Sequence, residues 1–153
     1  MASPPSKLEV DIEVKSSADK FWGSIRDSTT LFPKVFPELY KSIDVLEGDG
    51  KCVGSVRLLK YPEGISAVTE SKERIDAVDD ANMKVAYHVI GGDLLKYYKH
   101  FKAFLHVTPK GDGSFVKWSC EFEKASEEVP DPHFIQEFAV SNFKDLDAYL
   151  LKA

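Results

Sequence analysis

The carboxy-terminal stretch PHFIQEFAVSNFKDLDAYLLKA, residues 132–153, decides the fold of this chain. It has the periodicity of one long helix, but its apolar residues occupy two adjoining faces, more than the stripe of about 100° that a helix on a flat sheet needs. These residues are Phe134, Ile135, Phe138, Ala139, Phe143, Leu146, Tyr149 and Leu150. We therefore expect a sheet that curls around this helix, and a curled sheet that does not close tightly on it leaves a pocket for a small molecule.

Nearly everything before this helix alternates between apolar and polar residues, as half-buried strands do. Leu8, Val10, Ile12 and Val14 predict the first strand. Two short helices are expected after it, one over residues 18–27 capped by Ser16 or Ser17 and one that begins near Pro33. Further strands are predicted at residues 43–46, 56–61, 68–78, 83–90, 101–107 and 116–122.

The spacing of the turns between these strands is typical of an antiparallel meander. The strand at 68–78 is highly charged, so we expect it near an edge of the sheet or on a wet face. The resulting architecture is α+β: a strand, two short helices, about six more strands and a long helix.

Length and composition describe an ordinary globular protein. A chain of 153 residues is one domain by length and long enough to bury a sizeable core. The net charge of −5 and the absence of a basic run argue against nucleic acid or an anionic membrane as a partner. No stretch approaches the 18 apolar residues of a transmembrane helix, so we expect no integral membrane association.

Two features predict a reducing compartment, by default the cytoplasm. Cys52 and Cys120 are too few for a disulfide framework, and Cys120 alternates with apolar neighbours as a buried thiol would. The amino terminus, MASPPSKLEV, has no apolar region that would mark it for secretion.

Several runs together are similar to a known plant family. They are DSTTLFPK at 27–34, YKSIDVLEGDGKCVGSV at 40–56, YHVIGGDLL at 87–95, VKW at 116–118 and VPDP at 129–132. In colinear order over essentially the whole chain, they resemble the major latex protein-like branch of the plant Bet v 1 / pathogenesis-related class 10 superfamily.

This resemblance implies a Bet v 1-like (START-like helix-grip) fold, in which a seven-stranded antiparallel sheet curls around a long carboxy-terminal helix and encloses an apolar cavity. It implies binding or carriage of apolar metabolites, lipids, sterols or hormones, in plant defence, stress response or specialised metabolism. A few relatives catalyse cyclisation, isomerisation or condensation of alkaloid or terpenoid (iridoid) intermediates. We expect no metal or organic cofactor, and a monomer or weak dimer.

Motifs for other chemistry are weak. The Gly-rich loop at 48–54 lacks the GK[ST] ending of a phosphate loop and lies between two strands, so we interpret it as structural. His88, His100 and His106 oppose the apolar parity of their strands and lack metal-ligand spacing, which predicts surface histidines. No G-x-S-x-G elbow supports a hydrolase.

The sequence leaves open whether Arg57 faces the cavity or the solvent. If the resemblance sets the register, Leu59 and Tyr61 face the cavity and Arg57 does too, where its guanidinium could clamp a ligand carboxylate or phosphate. If Val56 and Leu58 are the inward pair, Arg57 is solvated instead. Apolar residues stand on both parities, so alternation does not decide.

On the carboxy-terminal helix, Asn142 lies among apolar residues and needs a hydrogen bond from protein, water or ligand, which makes it a better ligand-facing candidate than Gln136. Aromatic side chains such as Tyr61, Tyr87, Trp118 and Phe138 either fill a core or, as the resemblance implies, line a cavity. The predicted ligand-binding set is Phe32, Arg57, Leu59, Tyr61, Val85, Tyr87, Phe101, Ala103, Val116, Trp118, Phe138, Ala139 and Asn142.

Three functional hypotheses follow: an apolar-ligand carrier first, a cofactor-independent cyclase or isomerase second, and a hormone-receptor-like regulator third. Catalytic candidates are Tyr61, Tyr87, Arg57 and Glu73, with Glu70 if it turns inward, as proton donors or acceptors. A buried carboxylate of raised pKa beside Tyr87 would favour the enzyme, and a wholly apolar lining would favour the carrier. In the regulator, loops 60–66 and 89–94 would gate the cavity mouth.

Overall fold

The computed structural model describes residues 6–63 and 68–152. In chain order the elements are β1 (Ser6–Val14), α1 (Ala18–Arg26), α2 (Ser28–Val35), β2 (Ser42–Glu47), β3 (Val56–Lys60), β4 (Glu70–Asp79), β5 (Lys84–Gly92), a 3₁₀ turn (Asp93–Lys96), β6 (Tyr98–Lys110), β7 (Gly113–Lys124) and α3 (His133–Lys152). The strands form one antiparallel sheet in the order β1-β7-β6-β5-β4-β3-β2. The predicted α+β architecture is confirmed.

The inner face of the sheet follows the alternation of the sequence. On the two longest strands, β6 and β7, the inward pairs are Phe101 with Phe122, Ala103 with Cys120, Leu105 with Trp118 and Val107 with Val116. All of these side chains are buried, and Cys120 is a free thiol among them, as predicted. This face and the helices together form the hydrophobic core.

The second short helix begins earlier than the sequence predicts. It starts at Ser28 rather than near Pro33, so Pro33 lies inside it. Proline removes one i→i−4 hydrogen bond, and a helix of only 8 residues can lose that one bond without breaking. Its first turn is held by the carbonyl of Asp27, which accepts from the amides of Thr30 and Leu31. Asp27 also ends α1, so a single residue joins the two helices.

The charged strand β4 is not at an edge. It pairs with β3 on one side and β5 on the other, deep within the sheet order. Of the two predicted alternatives, the edge is wrong and the wet face is correct, because the charges stand mainly on the outer face, where an interior strand of a one-sided sheet meets water. Lys72 and Arg74 have the outward parity, whereas Ser71, Glu73 and Ile75 turn to the inside.

The long helix α3, which the sequence predicts over residues 132–153, runs from His133 to Lys152, and Ala153 lies outside the described residues. Ser17 caps α1 through the amide of Lys20, and Ser16 has another role. Its hydroxyl donates to Asp147 Oδ1 on α3 over 2.6 Å, which anchors the carboxy-terminal half of that helix to the start of α1. No helix in the described ranges is long and apolar enough to cross a bilayer.

Candidate ligand cavity

A cavity of about 230 Å³ lies between the inner face of the sheet and the amino-terminal half of α3. It is slightly smaller than the 300–1,000 Å³ typical of small-molecule sites. Strands β3 to β7, the α1–α2 pair and α3 all contribute to its wall. Most of the wall is apolar, and its aromatic members are Phe32, Tyr40, Tyr61, Tyr87, Phe101, Trp118, Phe134, Phe138 and Phe143.

Three of these rings form a cluster under the helix. The centroid of Phe138 lies 5.5 Å from that of Tyr40 and 5.7 Å from that of Tyr61, and both contacts are edge-to-face. Tyr40 and Tyr61 complete the triangle at 6.1 Å. Such pairs stabilise each other, and all three rings line the cavity, so the cluster supports one end of the helix and also contributes apolar surface to the wall.

The polar feature of the cavity is a buried ion pair between two strands. Arg57 on β3 and Glu73 on β4 occupy paired positions of the sheet, and Arg57 Nη2 lies 3.2 Å from Glu73 Oε1. Both side chains are about nine-tenths buried, at 12% and 10% exposure. Burial raises the pKa of Glu73, and the Arg57 guanidinium opposes part of that rise.

Arg57 therefore faces inward, which resolves the alternative that the sequence leaves open. Each terminal nitrogen of Arg57 donates to a protein atom: Nη2 to Glu73, and Nη1 to Ser28 Oγ on α2 over 3.2 Å. One N–H on each of these nitrogens remains, so a bidentate grip on a ligand carboxylate or phosphate stays a prediction, and the charge of Glu73 opposes it.

Two phenols accompany the ion pair. Burial raises the pKa of Tyr61 and of Tyr87, and the charge of Glu73 raises both further. Both side chains are therefore neutral hydroxyls at physiological pH. Tyr61 Oη lies 3.3 Å from Ser71 Oγ, so that hydroxyl already has one partner.

Two buried polar atoms of the cavity residues have no hydrogen-bond partner among the residues that the structure describes. They are Arg57 Nε, a donor, and Asn142 Oδ1, an acceptor on α3. Asn142 is 3% exposed. A buried polar group without a partner is costly unless water or a ligand completes it, so these atoms mark the places where a ligand would form hydrogen bonds.

Comparison with known proteins decides the family. The sequence model of the pathogenesis-related protein Bet v 1 family matches residues 3–153. The chain belongs to the Bet v 1 family. Within it, the chain is an MLP-like member: it is 54% identical to MLP-like protein 423 of Arabidopsis thaliana over 145 residues, which cover 95% of this chain and 94% of that one. The family and these relatives support a ligand-binding fold.

Solved structures agree. Ginseng major latex-like protein 151 from Panax ginseng superposes with a TM-score of 0.89 at 30% identity, over 97% of this chain and 99% of the other. Norcoclaurine synthase from Thalictrum flavum, solved in complex with dopamine and hydroxybenzaldehyde, superposes with a TM-score of 0.81 over 96% of this chain and 87% of the synthase. At 22% identity the synthase shows the shared fold alone.

In this Bet v 1 family protein, most of the predicted ligand-binding residues line the cavity described above. They are Phe32, Arg57, Leu59, Tyr61, Val85, Tyr87, Phe101, Trp118, Phe138, Ala139 and Asn142. Ala103 and Val116 do not contribute to the wall, although both are fully buried on the inner face. Ala103 is short and lies between Phe101 and Leu105, whose larger side chains reach the cavity instead. That the wall binds a ligand stays a prediction.

Other wall residues were missed by the sequence argument. Tyr40 follows Phe32 and Phe36 at four-residue spacing, a helical signal that Pro37 obscured. Ser71 shares the inward parity of Glu73, but the uncertain register of β4 hid its orientation. Of the two acidic candidates on that strand, Glu73 lines the cavity and Glu70 does not.

In the Gly-rich loop at 48–54, the side chain of Asp49 hydrogen-bonds to backbone amides of the same loop. Asp49 Oδ1 accepts from the amides of Lys51 and Cys52 over 2.8 and 2.9 Å, and these are the amides that a bound anion would need. The hydrogen bonds lower the pKa of Asp49, so the carboxylate is charged at physiological pH. The structure therefore supports a structural loop rather than a phosphate site.

The histidines lie on the outside of the sheet or at its surface. His88 Nδ1 is 2.8 Å from Asp76 on the outer face, and His100 is exposed. His106 is half-buried. Within residues 6–63 and 68–152, no group of three or more potential metal ligands is found.

The loops that would gate the cavity mouth are joined by one carboxylate. Asp93 accepts from the amide and the hydroxyl of Thr69, at 2.9 and 2.6 Å to Oδ2, and from the amide of Glu70. Val89 and Leu94 line the cavity. Residues 64–66 of the first predicted gate loop lie outside the described residues.

Proposed function

We propose that this protein binds and carries small, mainly apolar metabolites in its internal cavity, in the cytoplasm, without a cofactor. The observation that carries the proposal is the mainly apolar cavity of about 230 Å³ beneath the first half of α3. An apolar ligand that enters it gains about 25 cal/mol for each Å² removed from water. Apolar contact distinguishes ligands of similar size weakly, so we expect a permissive binder.

A titration with a fluorescent apolar probe tests the proposal. We use neutral N-phenyl-1-naphthylamine beside anionic ANS, and expect saturable fluorescence enhancement by the native protein, with a rise in melting temperature as probe is added. Val53→Ser is the matched surface control, because Val53 is exposed and does not line the cavity. The absence of saturable binding of the neutral probe would contradict the proposal.

A second candidate function, a cofactor-independent cyclase or isomerase, has one specific observation in its favour. Glu73 is a buried carboxylate of raised pKa whose charge reaches Tyr87 in the same cavity. A carboxyl of raised pKa near a phenol is suited to proton transfer at neutral pH. The ion pair with Arg57 opposes this role, since it favours the carboxylate form.

The enzyme is tested by incubating candidate iridoid and alkaloid intermediates with and without protein and following new cyclised or isomerised products. If Glu73 transfers the proton, Glu73→Gln lowers the rate by about 10²-fold or more. Glu70→Gln on the same strand is the control and leaves the rate unchanged, since Glu70 does not line the cavity. Equal product formation with and without protein would argue against catalysis while leaving the carrier intact.

A further inference from the structure

The unpartnered atoms of the cavity specify the chemistry of the ligand, and this inference rests on the proposed binding function. We propose that the cavity selects neutral apolar compounds that carry a hydroxyl group, held by Asn142 and Arg57 Nε, and discriminates against the corresponding carboxylates.

Asn142 requires a group that can donate. Its Oδ1 is buried and has no partner in the described parts of the chain. A ligand hydroxyl can donate to that oxygen or, with the amide rotated, accept from its NH₂ group, so a hydroxyl suits either orientation. A carboxylate only accepts, and a hydrocarbon does neither.

Arg57 offers a ligand the N–H donor at Nε, but its positive charge is already balanced by a carboxylate. Each terminal nitrogen donates one hydrogen bond, Nη1 to Ser28 and Nη2 to Glu73, and only Nε is without any partner among the described residues. Glu73 balances the charge of the guanidinium within the same ion pair. Arg57 can therefore add a hydrogen bond to a hydroxyl oxygen, but it has no uncompensated positive charge for an anion.

The other cavity arginine is also neutralised. Arg26 Nε lies 3.1 Å from Asp80 Oδ1, and the side chain donates further to the carbonyl of Lys51. A ligand carboxylate would bring a negative charge into an apolar enclosure in which both guanidinium groups already have partners. Burying a charge without a counter-charge is strongly unfavourable, so neutral ligands should be preferred.

Three rigid probes of one ring system test the proposal: 2-naphthol, naphthalene and 2-naphthoate, each titrated against bound N-phenyl-1-naphthylamine at pH 7. We expect 2-naphthol to bind at least about tenfold more tightly than either of the others, since it is the one that satisfies a buried polar group. Equal affinity of 2-naphthol and naphthalene, or tighter binding of 2-naphthoate, would overturn the proposal.

Variants assign the preference to residues. Asn142→Leu should reduce the advantage of 2-naphthol over naphthalene while N-phenyl-1-naphthylamine still binds. Gln136→Leu is the matched control, because it removes an amide from the same helix at a position that does not line the cavity. An unchanged advantage in Asn142→Leu, or an equal loss in Gln136→Leu, would refute the assignment.

Glu73→Gln tests the charge balance. This substitution leaves the Arg57 guanidinium without its counter-charge. The affinity for 2-naphthoate should therefore be at least about tenfold higher than in the wild type, while the affinity for 2-naphthol should change little. Unchanged exclusion of 2-naphthoate would contradict the argument. If Glu73→Gln does not fold, the double variant Arg57→Gln/Glu73→Gln replaces it, because it removes both charges of the pair. This variant should still exclude 2-naphthoate and should bind 2-naphthol more weakly than the wild type. The opposite pattern would overturn the proposal. A wild type that binds no probe at all would instead refute the proposed binding function.

Discussion

The two halves of α3 have similar apolar content and opposite surroundings. In the carboxy-terminal half, Leu146 is fully buried in the core, and Phe143, which lies at the boundary and also reaches the cavity wall, packs its ring edge-to-face on Phe21 at 6.0 Å. Asp147 adds a polar anchor, accepting from the amides of Lys15 and Ser16 and from the Ser16 hydroxyl. This half is held by packed side chains and by hydrogen bonds to the chain that precedes α1.

The amino-terminal half meets the cavity instead. Phe134, Ile135, Phe138 and Ala139 all line it, and Phe134 is 39% exposed. Its entry is fixed by the buried Pro132 and by the hydrogen bond from Tyr98 Oη to the carbonyl of Pro130. Further along this half, the ring of Phe138 contacts the rings of Tyr40 and Tyr61.

The comparison teaches that a wide apolar face on one helix can serve two purposes at once. One half contributes free energy of folding through packing, and the other keeps apolar surface available for a ligand. The hydrophobic residues are of the same types in both halves, so the difference lies in what stands opposite them. Substitutions in the two halves should therefore separate stability from binding.

The largest effect is expected from Leu146→Ala in the packed half. Leu146 is fully buried, so we expect a loss of about 3 kcal/mol in the free energy of unfolding, measured by denaturant titration. Leu151→Ala is the control: that residue is 53% exposed and should change stability by no more than about 0.5 kcal/mol. A small cost at Leu146 would mean that this half is not the packed one.

The Asp147 anchor should have the next largest effect. Asp147→Asn removes charged hydrogen bonds to Ser16 and Lys15, for an expected cost of about 2 kcal/mol at pH 7. Asp145→Asn, on the exposed side of the same turn, is the control. Partial burial alone would raise the pKa of Asp147, but the hydrogen bonds from Ser16 and Lys15 outweigh it and hold the pKa below the ordinary 3.8.

That direction defines the pH dependence. A carboxyl whose pKa is lower in the folded state stabilises the protein above the unfolded pKa, and this stability is lost as the pH falls through the folded value. The melting temperatures of wild type and Asp147→Asn should therefore differ at pH 7 and converge as the pH falls below about 4. A difference that is constant down to the lowest pH would show that the cost is not ionic.

Phe138→Ala in the cavity half should cost less stability than a packed phenylalanine. One side of the ring faces the cavity, so we expect a loss of about 1–2 kcal/mol from the contacts with Tyr40 and Tyr61, against 3–5 for a core phenylalanine. Binding of N-phenyl-1-naphthylamine should weaken markedly in protein that is still folded. A severe loss of stability, as in a solid core, would remove the distinction between the two halves.

The smallest effect on stability is expected at the first turn of α3. Phe134 is 39% exposed, so Phe134→Ala should change the free energy of unfolding by about 0.5 kcal/mol or less. Because Phe134 also lines the cavity, probe binding should weaken modestly, and less than in Phe138→Ala. Thermal melts and probe titrations on the two variants rank them, and the reverse ranking would place the ligand nearer the helix start.

The inward orientation of a strand residue follows from the sequence where side chains of one parity are all apolar, and the sequence leaves it open where they are mixed. Phe101 and Trp118 lie on cleanly alternating strands, so their inward orientation follows from period two. Arg57 has apolar neighbours on both parities, and Glu73 belongs to a strand of alternating charge. The orientation of each of these two side chains depends on the other. Each charge can be buried because the opposite charge of its partner balances it.

Local sequence thus determined the sheet of antiparallel strands, the long helix and the width of its apolar face, because alternation and helical periodicity are properties of neighbouring residues. Tertiary structure alone decided that one half of α3 packs on Phe21 and the other faces empty space. The curvature of the seven strands sets the space between helix and sheet, and side chains far apart in the chain fill most of it. The cavity is the small volume that remains. No short stretch encodes that volume, and it is where the ligand would bind.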